Sequence, residues 1–130
     1  MDTTLIINIL IVLLVAYFVY TRVGPVKGLN NLDERDFREA MQQSKNKILI
    51  DVREPYEFKD GSIPGAANIP LSQLPRRLAE VPKDKDVFLY CRSGMRSKNA
   101  AKMLKRSGIN KLNHLRGGIG AWGGKLSKSK

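Results

Sequence analysis

The sequence predicts an α/β domain, an open parallel sheet flanked by helices on both faces, preceded by one transmembrane helix. Three observations carry that prediction. Two short runs, residues 48–52 and 87–90, are almost wholly apolar, as strands buried on both faces require. Amphipathic helical segments alternate with them, the pattern that lays helices on both sides of a parallel sheet. Residues 3–20 hold no charge and only Asn8 as a strongly polar interruption; at about 1.5 Å per residue they just cross a hydrocarbon core of about 30 Å.

The first segment has two other readings, and both fit poorly. A cleaved signal peptide wants a basic start and a small-x-small exit, whereas this chain begins Met1-Asp2 and leaves through bulky Tyr17, Phe18 and Tyr20. A soluble core helix shows one polar face, and this one is apolar all round. As an anchor it would set Tyr17 and Tyr20 at headgroup level. Arg22 and Lys27 follow the helix and Asp2 precedes it, so the positive-inside rule places the following domain in the cytoplasm. The expected organisation is an anchor over 1–22, a linker over 23–31 containing Gly24, Pro25 and Gly28, one domain over 32–124, and a basic tail over 125–130.

Within the domain each element follows from its residues. Residues 32–41 carry acids in the first turn and Phe37, Ala40 and Met41 at helical spacing. A strand over 48–52, a short helix over 55–59 and the turn Gly61-Ser62-Ile63-Pro64-Gly65 lead to a minimal strand over 67–69. Leu71, Leu74 and Leu78 line one face of a helix opening at Pro70, and Pro75 is tolerated in its first turn. The strand 87–90 delivers Cys91 at its carboxyl end. Residues 95–107 form a basic amphipathic helix, with Ala100, Ala101, Met103 and Leu104 for packing and Gly108 as its stop. A last strand over 111–115 precedes Gly117-Gly118 and Trp122, a core plug. Loops at the carboxyl ends of such strands are where a site is expected.

Charge narrows the partners. Lys and Arg number 23 against 12 Asp and Glu, a net +11, and no acidic residue follows Asp86. That basic half attracts anions. No nucleic-acid partner is expected, because no aromatic-interleaved or helix-turn-helix pattern accompanies the charge; a small anionic substrate or an anionic leaflet suits it better. The single cysteine cannot form an internal disulfide, so its thiol is available as a reagent.

The informative stretch is Cys91-Arg92-Ser93-Gly94-Met95-Arg96-Ser97, between a strand and a helix. Such a loop aims backbone N–H groups at one point and adds the positive end of the helix dipole. If that point is the Cys91 sulfur, the thiolate is favoured, and Arg92 and Arg96 add charge. Gly94 supplies the backbone freedom that a tight loop needs. The bland alternative, a buried strand-end cysteine before a polar helix start, leaves the glycine and both arginines without a purpose.

At this point the chain resembles the rhodanese family. Four segments match its motifs in order: Asp51-Val52-Arg53-Glu54-Pro55-Tyr56-Glu57-Phe58, Ile63-Pro64-Gly65-Ala66-Ala67-Asn68-Ile69-Pro70, the Tyr90 to Ser97 loop, and Leu115-Arg116-Gly117-Gly118 with Trp122. The resemblance implies a cysteine nucleophile that takes the outer sulfur of thiosulfate or of a protein persulfide and delivers it to a thiol, cyanide or another acceptor, with no metal or organic cofactor. One departure is Gly61-Ser62-Ile63, where the family usually has Gly-His-Ile. Cysteine phosphatases resemble the loop less, since they need one more residue between cysteine and arginine than separates Cys91 from Arg96.

The remaining residues divide between support and chemistry. Cys91 is expected to be catalytic, with the amides of Arg92, Ser93, Gly94, Met95 and Arg96 as its cradle and Arg96 the likelier cation to meet an anionic substrate. Ser93 and Ser97 are either hydrogen-bond donors or helix caps. Asp51 is expected to hold loop backbone, because a carboxylate at a buried strand end is costly unless hydrogen-bonded. Arg53 either reaches the mouth of the site or pairs with Glu54 or Glu57. His114, the one histidine, lacks partners for a metal site and is expected to pack. A non-catalytic docking module at the membrane is the alternative from another class.

Overall fold

The computed structural model describes residues 2–23 and 26–128. Gly24 and Pro25 of the expected linker, Ser129 and Lys130 of the tail, and the side chain of Arg22 lie outside the described residues. Five parallel strands form one sheet: β1 (Leu29–Leu32), β2 (Lys47–Asp51), β3 (Ala67–Asn68), β4 (Asp86–Tyr90) and β5 (Leu112–Leu115), in the order β1-β5-β4-β2-β3. Helices α2 (Glu34–Gln43), α3 (Pro55–Asp60), α4 (Leu74–Arg77) and α5 (Met95–Arg106) make the connections, after the N-terminal helix α1 (Thr3–Val23). The open parallel sheet flanked by helices is the architecture that the apolar runs predict.

Alternation along the central strand decides where the cysteine points. Val87, Leu89 and Cys91 lie in one buried cluster with Ile50, Val52, Leu74 and the α5 residues Ala100, Ala101 and Leu104. Phe88 and Tyr90 lie in the other, with Phe37 of α2, Leu49, Ile63 and Leu115. Successive side chains on a strand face opposite ways, so β4 hands Cys91 to the α5 side of the sheet. The α2 side is closed by Phe37 against Phe88, edge to face with ring centres 5.4 Å apart.

Three segments differ from their sequence expectation. Leu29–Leu32, of which residues 29–31 are expected in the linker because Gly28 and two Asn read as a breaker and Leu32 at the start of the first domain helix, is the edge strand β1, paired with β5 from Leu29–Leu112 to Leu32–Leu115. Its polar residues find partners in that pairing: the Asn30 side-chain Nδ2 donates to the Asn113 side-chain Oδ1 at 2.9 Å. The helix expected from Pro70 starts at Leu74. Pro75 has no N–H to give to Leu71, so the helix proper begins where proline sits in the first turn. The basic tail, expected to lie outside the domain, is pinned to it at Ser127, whose N–H and carbonyl exchange bonds of 2.8 and 2.9 Å with Ser62.

Asp33 caps α2 by accepting from the Asp36 N–H at 2.8 Å, which satisfies one orphan donor of the first turn. In α1 the stretch Thr3–Thr21 is long and apolar enough to cross a membrane by length and composition, and none of it is buried against the domain. Every large apolar side chain from Leu5 to Tyr20 is exposed.

Candidate active site

The loop leaving β4 turns sharply at Gly94, which caps α5 with φ +108°, a backbone conformation that side chains beyond glycine resist. This turn aims the Gly94 N–H at the Cys91 Sγ, 2.9 Å away. The Cys91 thiol lies 3.7 Å from the Ser97 Oγ, one turn into α5. Among the described residues the amide donor to the sulfur is thus Gly94 alone, with the Ser97 hydroxyl beside it, where the sequence suggests a ring of amides from Arg92 to Arg96. Ser97 is no helix cap: it is fully buried, donates to the Gly94 carbonyl at 3.0 Å and lies 3.0 Å from the His114 Nδ1.

The loop has a buried base and an exposed rim. Cys91, Gly94 and Ser97 are buried, while Arg92, Ser93 and Met95 are exposed. A second wall comes from the turn after β5. The Ile119 N–H donates to the Cys91 carbonyl at 2.8 Å. Gly118 comes so close that a Cβ there would overlap the Arg92 carbonyl. Gly117-Gly118 is therefore a buttress of the loop, a function the sequence shows only as a turn.

The two loop arginines have different fates. Arg96 pairs with Glu57 of α3 through two bonds, 2.6 and 2.9 Å, a bidentate geometry that fixes the α5 N-terminus against α3. Its guanidinium holds the Glu57 carboxyl down at about 2. Arg92 has no ion pair among the described residues and is exposed, so the uncompensated cation of the rim is Arg92.

Asp51 and Arg53 lie elsewhere. Asp51 shares the Leu49 face of β2, across the sheet from Cys91, and its carboxylate accepts from the Arg53 N–H at 2.9 Å and from the guanidinium at 2.6 to 3.0 Å. Arg53 goes on to donate to the Gly61 carbonyl at 2.6 Å. The pairing expected for Arg53 with Glu54 or Glu57 is replaced by one with Asp51, because the buried carboxylate two residues back requires its charge.

A rhodanese-like domain model matches residues 34–125, from α2 past the buttressing turn. The chain belongs to the rhodanese-like family. The protein YqhL of Bacillus subtilis is 39% identical over 128 residues, 98% of this chain and 99% of that one, so their similarity takes in α1. A sulfurtransferase of Allochromatium vinosum is 39% identical over 94 residues, 72% of this chain and 88% of its own. The crystal structure of a rhodanese-related protein from Thermoplasma volcanium superposes with a TM-score of 0.68 at 30% identity, covering 77% of this chain and 99% of that one. Sulfur transfer in general is the chemistry these relatives support for the rhodanese-like domain.

His114 is the site residue that the sequence conceals. It is 1% exposed, and burial, aided by Lys98 of α5, brings its ring down to about 4. An unfolded histidine titrates near 6.5, so the unfolded chain takes the proton first and stability falls as pH drops from 6.5 towards 4. Glu57 acts in a lower window: its contribution is complete above 4.5 and is lost as pH falls towards 2. Urea unfolding of His114→Asn across this range is expected to lose the upper phase and keep the lower one. An unchanged upper phase would show that the ring titrates as if exposed.

Proposed function

We propose that this rhodanese-like domain moves sulfane sulfur from thiosulfate or a persulfide donor to a thiol or cyanide acceptor through a persulfide on Cys91, and that α1 holds it at the cytoplasmic face of a membrane. The observation that carries the proposal is the Gly94 N–H directed at the Cys91 Sγ from the start of α5. An N–H donor and a helix N-terminus both favour negative charge on that sulfur.

The first step needs no proton transfer. The Cys91 thiolate attacks the outer sulfur of thiosulfate, a bond forms between the two sulfurs, the sulfur–sulfur bond of the donor breaks, and sulfite leaves with its electron pair. The product is an anionic persulfide, so the donors that held the thiolate serve it as well. An acceptor thiolate or cyanide then attacks the outer sulfur and releases the Cys91 thiolate. Arg92, the unpaired cation of the rim, draws the anionic donor in. Cys91 is 1% exposed, so small donors, or a persulfide presented on a narrow segment, reach it best once Arg92, Ser93 or Met95 gives way.

Mass measurement of the intact full-length protein after thiosulfate treatment tests the chemistry. One added sulfur atom is expected on the natural protein and none on Cys91→Ser, with Arg92→Glu loading more slowly at low salt. No adduct with any sulfane donor would favour the docking module. The placement of α1 is supported by its exposed apolar surface and by Lys27 after it and Asp2 before it. A membrane-impermeant thiol reagent added to intact cells is expected to spare Cys91; labelling there would contradict the cytoplasmic orientation.

A further inference from the structure

Ser97 has more partners than a serine early in a helix needs. Its Oγ lies 3.0 Å from the Gly94 carbonyl, 3.0 Å from the His114 Nδ1 and 3.7 Å from the Cys91 Sγ. A hydroxyl has one proton and two lone pairs. With the proton on the Gly94 carbonyl, the lone pairs accept from the Cys91 thiol and from the histidine, which must then carry its proton on Nδ1.

The other tautomer fits worse. Ser97 would have to choose between the Gly94 carbonyl and Nδ1, making one bond in place of two, and a buried N–H would be left at Nε2, which has no partner among the described residues. Orphaned buried N–H groups are the rarer defect. The unpartnered Nε2 lone pair is still a cost, one that a merely packed residue at this position would not carry.

When Cys91 loses its proton, its sulfur only accepts. The Ser97 hydroxyl then turns from the Gly94 carbonyl to the sulfur, and no group is stranded. The Gly94 carbonyl keeps the Lys98 N–H at 3.2 Å, and Nδ1–H still donates to the Ser97 Oγ. We infer that His114 is a positioning residue for the reactive sulfur: by occupying a Ser97 lone pair with its Nδ1–H, it commits the Ser97 proton to the Cys91 thiolate and to the persulfide formed there. This role rests on the Cys91 chemistry proposed above.

The test is the rate at which iodoacetamide alkylates Cys91 in the full-length, detergent-solubilised protein at pH 7, beside urea unfolding of each variant. Ser97→Ala and His114→Leu are each expected to slow alkylation on the order of tenfold, the loss of one hydrogen bond to a charged atom. The double variant should be no slower than Ser97→Ala, because both changes break one relay. His114→Asn, whose amide N–H can stand where Nδ1–H does, should restore the natural rate. Natural reactivity in His114→Leu, equal slowing in the Asn and Leu variants, or additive losses in the double variant would overturn the relay. Sulfur loading by mass separates the two ideas: a natural protein that takes up no sulfur but shows this variant pattern loses the transfer reading and keeps the relay.

Discussion

One contact organises the domain, the hydrogen bond from the Gly94 amide to the Cys91 sulfur. It requires a strand that ends at residue 90, a helix that begins at residue 95 and a left-handed turn between them. The strand supplies direction, since the alternation that buries Val87 and Leu89 under α5 also buries the Cys91 side chain there. The turn needs glycine at 94, and its outer wall needs glycine at 118, where the chain after β5 lies against the Arg92 carbonyl. Two of the sequence motifs are thus one structure seen from two ends of the chain.

Charges around this contact are held in pairs. The bond between Glu57 and Arg96 ties α3 to the first turn of α5, and the guanidinium so fixed also interacts electrostatically with Cys91. Across the sheet, Asp51 and Arg53 form a buried pair, 0% and 7% exposed at their side chains. Such a pair adds little net stability against apolar residues of similar volume, yet removing one partner strands the other charge. Its bonds fix the corner after β2 and the turn at Gly61, which sets the path of α3 and hence the position of Glu57. The supporting residues act on the loop through this chain of contacts, at a distance from the sulfur.

The fold was legible because burial imposes a pattern on the chain. The continuous apolar runs at β2 and β4 and the helical spacing in α2 and α5 follow directly from an environment apolar on both sides of a sheet. β1 was not legible, because Leu-Asn-Asn-Leu has no intrinsic strand preference and becomes a strand through the partners that β5 offers. At the site, Cys91 and Gly94 declare themselves by position. The partners of Arg53 and Arg96 did not, since a long cation has several carboxylates within reach in sequence and the fold chooses among them. His114 was hidden for a related reason: it approaches Ser97 only when β5 lies beside β4 and α5 packs over both, and a lone histidine in a strand signals packing alone.

The claim that the Gly94 amide faces the reactive sulfur can be measured directly by recording amide resonances of the protein before and after one sulfur atom is loaded on Cys91. The Gly94 amide proton is expected to move further than those of Arg92, Ser93, Met95 and Arg96, because it alone among them donates to that atom. A Gly94 signal that stays in place while its neighbours shift would contradict the account.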